Sequence, residues 1–99
     1  ANQEDHVSMG TIAARKAREI LKNVQRVLAI ELLASAQALE FRKEGKKGVG
    51  VSKAYNLVRE VVPPLVEDRI MYKDINKCID LVTSGKLVET VEAAVPQLK

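Results

Sequence analysis

Residues 11–43 read TIAARKAREILKNVQRVLAIELLASAQALEFRK, without a proline or a glycine and dominated by Ala, Leu, Arg, Lys, Glu and Gln. Such residues lose little freedom in a helix, so the stretch predicts one continuous helix from about 11 to 43, close to 50 Å long at about 1.5 Å per residue. Ile12, Ala13, Ala17, Ile20, Leu21, Val24, Val27 and Leu28 form one stripe of its first half. Arg15, Lys16, Arg18, Lys22 and Arg26 cover most of the remainder, so that half is expected to be partly exposed. From Val27 to Phe41 apolar residues occupy nearly the whole wheel. A helix apolar all round is buried on all sides, which 99 residues do not easily arrange alone, so partner helices are expected and the isolated chain should self-associate.

Outward from this helix, Ser8 reads as its N-cap. After it, RKEGKKGVG (42–50), a charged run with three glycines, reads as an exposed loop and a hinge, which sets residues 44–51 as the flexible segment between the long helix and the short ones. Ser52 is the expected N-cap of a second helix over 53–62, with Ala54, Leu57, Val58, Val61 and Val62 facing inward and Pro63-Pro64 ending it. Leu65 to Arg69 is read as one more helical turn. Asp74 is the expected cap of a third helix carrying Ile75, Cys78, Ile79, Leu81 and Val82, closed by a left-handed Gly85. A fourth, Leu87 to Val95, sets Val88, Val91 and Val95 in register before Pro96. No segment alternates with strand periodicity, and no internal repeat occurs. The fold class is all-α: one long helix, a loop and three shorter helices in residues 52–99, as part of a larger helical bundle.

Ninety-nine residues allow one small domain. Its three aromatic residues, Phe41, Tyr55 and Tyr72, leave an aliphatic core. A net charge of +3 demands no nucleic-acid partner. The basic run from Arg15 to Arg26 has no interleaved aromatics and reads as a solvated face. Cys78 is alone, which excludes an internal disulfide and fits a reducing, cytoplasmic setting; in its apolar context it reads as a small buried hydrophobe. No run approaches the roughly 20 apolar residues of a membrane span.

The polar chemistry is concentrated in Ala1-Asn2-Gln3-Glu4-Asp5-His6-Val7-Ser8-Met9-Gly10, which opens without an initiator methionine and is read as one piece of a larger site. In a regular helix Glu4, Asp5 and His6 diverge by about 100° each, so they make poor ligands for one metal ion. One Cys and one His in the whole chain also argue against a metal site. By spacing alone, a carboxylate at a helix entrance is more often a cap than a catalyst, and a lone His more often structural. Gly45, Gly48 and Gly50 lack the pattern of a phosphate-binding loop.

The run from Asn2 to Gly10, followed by Ala13-Ala14-Arg15-Lys16 and Val27-Leu28-Ala29-Ile30-Glu31-Leu32-Leu33, resembles the C-terminal region of the histidine ammonia-lyases, within the aromatic amino acid ammonia-lyase family. The resemblance continues through Val58-Arg59-Glu60, Glu67-Asp68-Arg69, Asp74-Ile75 and Leu81-Val82-Thr83-Ser84-Gly85, covering essentially the whole chain. It implies mostly helical, homotetrameric carbon–nitrogen lyases that remove ammonia from an aromatic amino acid, giving urocanate from L-histidine. Their electrophile is a methylidene-imidazolone made from an internal Ala-Ser-Gly. This sequence contains none: Ala34-Ser35-Ala36 and Thr83-Ser84-Gly85 each lack one residue of it.

One residue of the family's site maps onto this chain. Glu4 is the acidic member of the Gln-Glu-Asp-His motif, where phenylalanine-using relatives usually carry Gln. The resemblance makes Glu4 the catalytic candidate, with Asp5 and His6 as support around it. A carboxylate accepts a hydrogen bond from an imidazole N–H or pairs with an ammonium, and a benzene ring offers no such donor. The reading is therefore the C-terminal part of a histidine ammonia-lyase, inactive alone, without a cofactor of its own, partnered by the rest of its chain and by sister subunits. The competing reading is a stand-alone helical interaction module that presents Val27 to Phe41 to a partner bundle. A nucleic-acid-binding protein ranks third.

Overall fold

The computed structural model describes residues 2–42 and 47–98, with side chains from Met9 onward. Its elements are helix α1 (Asn2–Leu39), α2 (Val49–Val61), α3 (Tyr72–Thr83), α4 (Lys86–Ala94) and a terminal 3₁₀ turn at Pro96–Leu98. No strand occurs among the described residues, so the all-α class holds.

Helix α1 starts earlier and stops earlier than the sequence suggests. Ser8 does not cap it, because backbone helix runs from Asn2 straight through Ser8 and Gly10. A glycine inside a helix costs about 1 kcal/mol relative to alanine, too little to break so long an element. At the other end the ladder tightens: Glu40, Phe41 and Arg42 donate their N–H groups three residues back, to Gln37, Ala38 and Leu39, at 3.1–3.2 Å. Those bonds satisfy carbonyls that a helix end otherwise leaves open. Of the expected 44–51 loop, residues 44–46 lie outside the described residues, while Val49–Val51 are already helical.

Ser52 is likewise not a cap. Helix α2 begins at Val49 after an extended Gly48, and the Ser52 N–H reaches the Gly48 carbonyl at 2.9 Å as the first helical bond. Gly50 is a packing residue rather than a hinge, since a Cβ there would stand 3.3 Å from Val95 Cγ2 and 3.4 Å from Val91 Cγ1. Helix α4 uses that close approach to settle on α2. Val62, ahead of Pro63, is extended (φ −129°, ψ 114°) as a residue preceding proline must be, and α2 ends there. Leu65 to Arg69 forms no helical turn. Asp74 sits inside the first turn of α3, whose cap position is held by Met71. Gly85 adopts the left-handed conformation expected of it (φ 79°) and joins α3 to α4.

The core is aliphatic and small: Ala29, Leu33 and Ala36 of α1 meet Leu57 and Val58 of α2, Val62 just past it, and Cys78 and Leu81 of α3. Leu57, Val58 and Val62 confirm the predicted inner side of α2. Helix α1 packs chiefly on α3, and α2 on α4, in a molecule 66 × 38 × 18 Å. From Met9 to Leu28 every side chain of α1 except Gln25 is exposed. The expected all-round burial of residues 27–41 is therefore not reached in this chain: Val27, Leu28, Ile30 and Phe41 are all exposed, Phe41 by 82%.

This core is thin enough for single truncations to register. Leu57→Ala is expected to destabilise the chain by about 2–5 kcal/mol, whereas Val66→Ala, at a site 89% exposed, should stay within about 0.5 kcal/mol. Urea unfolding followed by circular dichroism measures both.

Candidate functional site

Glu4, Asp5 and His6 lie on consecutive backbone positions of α1. Their side chains lie outside the described ones. Glu4 stands 25 residues before Ala29, where the core begins, a distance of about 38 Å along the axis. Between them every side chain from Met9 to Val24 is exposed. The candidate residue thus sits near the end of a projecting arm, and a pocket around it needs walls that the described residues of this chain do not provide.

Among the described residues no group of three His, Cys, Asp or Glu side chains is placed to hold a metal ion. No helix there is long and apolar enough to cross a membrane. Cys78 is fully buried in the core. Burial pushes its thiol above the ordinary value, the Asp74 carboxylate adds to the rise, and Arg59 opposes it. A thiol held protonated in this way is a poor nucleophile.

The polar network that the described chain does build was not singled out from sequence. Gln37 of α1 meets both backbone groups of Leu65: its Nε2 donates to the carbonyl at 3.2 Å, and its Oε1 accepts from the N–H at 2.9 Å. Arg69 spends its guanidinium on the same segment, with Nη2 donating to Pro63 O at 2.7 Å, Nη1 to Pro64 O at 3.1 Å and Nε to Asp74 Oδ2 at 2.8 Å. Arg59 donates from Nε to Glu40 Oε1 at 3.0 Å and from Nη1 to Val62 O at 3.3 Å. The Tyr55 hydroxyl donates to the same Glu40 oxygen, and Lys47 Nζ stands 3.6 Å from the Tyr55 ring centroid. The signal in the sequence was Pro63-Pro64, two residues without N–H groups whose carbonyls still need donors.

Beneath this segment lies an open cavity of about 270 Å³, walled by Ile30, Leu33, Ala34, Pro63, Leu65, Met71 and Ile75, with Gln37, Arg59 and Arg69 at its edge. Those three polar side chains are already engaged by the chain itself. The arrangement is a structural clamp on the 62–71 segment.

The aromatic amino acid lyase family model matches residues 1–60, which take in the Glu4 motif, all of α1 and most of α2. Histidine ammonia-lyase of Caldanaerobacter subterraneus subsp. tengcongensis is 66% identical over 92 residues, 93% of this chain and 18% of the relative. The enzyme of that name from Alkaliphilus oremlandii is 59% identical over 95 residues, covering 96% of the chain and 19% of the relative. That of Symbiobacterium thermophilum is 54% identical over 99 residues, covering 100% and 20%. The chain thus spans about a fifth of the length of these relatives. No solved structure matches it.

The state of Cys78 is directly measurable. Its reaction with an aromatic disulfide reagent is expected to be about 100-fold slower in buffer than in urea, because it must await opening of the core. A raised folded-state pKa also contributes stability that is fully present below the unfolded value, about 8.5, and is lost as pH rises through the folded one. The unfolding midpoint should accordingly fall more steeply above pH 8.5 in the native chain than in Cys78→Ala.

Proposed function

The chain belongs to the aromatic amino acid lyase family, and from that premise we propose that it is the C-terminal part of a histidine ammonia-lyase, a cytoplasmic enzyme that eliminates ammonia from L-histidine to give urocanate. The observation that carries this reading is 54–66% identity to the three named histidine ammonia-lyases across nearly the whole chain.

Within that enzyme Glu4 is the substrate-facing carboxylate. Set at the far end of the α1 arm, it reaches a pocket whose other walls come from the remaining chain and from sister subunits. There it accepts a hydrogen bond from the imidazole N–H or pairs with the departing ammonium, a charge-assisted contact worth about 1.5–3 kcal/mol. The imidazole contact selects for histidine, since phenylalanine has no ring donor to offer, whereas a contact to the ammonium does not distinguish the two.

The residues of this chain do not fit the family's methylidene-imidazolone group. That group needs Ala-Ser-Gly, and both serines nearest to such a sequence sit elsewhere in the architecture: Ser35 inside α1, Ser84 as the C-cap of α3. No step of the elimination runs through either serine, and the 99-residue chain by itself is inactive.

Two measurements test the reading. The coding sequence upstream of Ala1 should carry an in-frame Ala-Ser-Gly; a start codon close to Ala1 would instead leave an interaction module. In the complete enzyme, Glu4→Gln should lower kcat/KM for L-histidine by about 10–100-fold, the loss of one such contact. An unchanged value would remove Glu4 from the site. Urocanate formed by the isolated chain would contradict its inactivity.

A further inference from the structure

The segment between α2 and α3 is held differently from the helices around it. Among the described residues, no backbone–backbone hydrogen bond begins or ends within residues 63–70. Nor is the segment packed down onto α1. The cavity of about 270 Å³ lies between Pro63 and Leu65 on one side and Ile30, Leu33 and Ala34 on the other. Surfaces that face each other across a void forfeit their dispersion contacts. Val66 and Ile70 are exposed in this chain, so they anchor nothing within it.

Two sets of side-chain bonds remain. Arg69 ties the segment to itself: the Pro63 and Pro64 carbonyls and the Asp74 carboxylate all meet its one guanidinium, so both ends of the stretch close on it. Gln37 ties it to α1, through both backbone groups of Leu65. A primary amide carries a donor and an acceptor side by side, as a backbone C=O and N–H require. Arg59 Nη2, 3.5 Å from Gln37 Oε1, faces the acceptor end of that amide and so keeps its Nε2 donor aimed at the Leu65 carbonyl.

We infer that residues 63–70 form a strap that lifts from α1 as one unit, released at Gln37, while the helices stay folded. Arg69 makes the strap a single body, and Gln37 is its latch. Opening breaks two neutral hydrogen bonds beside an open cavity, where water replaces them, and it uncovers little apolar surface. It therefore costs far less than unfolding the core. Each opening widens the cavity along Ile30, Leu33 and Ala34, so the strap governs access to it. The inference stands on these contacts alone, whatever reaction the complete protein performs.

Amide hydrogen exchange followed by NMR tests it, with the Leu65 N–H as reporter and those of Val58 and Leu81 as core references. Leu65 should exchange at least about 100-fold faster than either reference. Its rate should barely respond to urea below the unfolding transition, where the core amides accelerate steeply. Gln37→Met, which keeps the length of the side chain without its amide, should speed Leu65 about tenfold and the references less than about threefold. Arg69→Lys separates a strap from an isolated contact, because Arg69 makes no bond to Leu65. Lysine keeps the charge beside Asp74 but not the hold on both proline carbonyls, and the loosened strap has more open conformations to gain. Leu65 exchange should then rise at least about threefold relative to Val58. Leu65 exchanging in step with Val58 through the urea series would mean that the segment opens only with the core. An unchanged Leu65 rate in Arg69→Lys would mean that Gln37 and Leu65 form an isolated contact. Either result overturns the proposal.

Discussion

A helix of 38 residues is too long for the 60 that follow it to cover. Every other feature of the molecule is arranged around that mismatch. Helices α2 and α3 gather on its C-terminal third, where Ala29 and Ala36 present almost no side chain and let neighbouring backbones come close, while Leu33 supplies the bulk between them. Toward the N-terminus the same side of the helix turns basic: Arg15, Arg18, Lys22 and Arg26 recur at intervals of three and four, continuing in charge the face that ends in alanine. The helix therefore changes role along its length, from core element to arm, without changing its backbone.

The second organising element is the clamp on the segment after α2. Two successive prolines stop the helix and withhold two N–H groups, so the carbonyls on either side must be matched by side chains. Arg69, Arg59 and Gln37 do so, tying an irregular stretch to α1 and α2 without any backbone ladder. The Arg69–Asp74 pair also fixes where α3 begins, with Asp74 only 6% exposed. Removing one member of such a half-buried pair costs more than its presence contributes, because the partner is left desolvated. Arg69 in particular uses a planar fork with three aimed donors, a geometry that lysine does not reproduce.

Much of this was legible in the sequence and some was not, for definite reasons. The existence of α1, the inner face of α2, the burial of Cys78 and the left-handed Gly85 all follow from periodicity or local backbone preference, signals that tertiary structure rarely reverses. Ser8, Ser52 and Asp74 misled because a good capping residue marks a helix start only where the preceding backbone is non-helical, and here helix extends past each of them. Gly50 was hidden for a related cause, since its role is contact with Val91 and Val95 forty residues on. The clamp was invisible because it depends on which side chains the fold brings to the prolines. Glu4 came from motif resemblance alone. Spacing favoured a cap, and helical geometry explains only why its neighbours diverge.

The open apolar face of α1 also has a cost in the cell. Taken by itself, this chain displays on α1 the features that chaperones and proteases recognise in unfolded chains, exposed aliphatic side chains such as Ile20, Val24 and Val27. Anything that covers those side chains raises the effective stability of the fold, so the amount of protein follows that cover as well as the core. A substitution in the arm that leaves the folded protomer untouched can still lower the amount of protein, by lengthening the time spent uncovered.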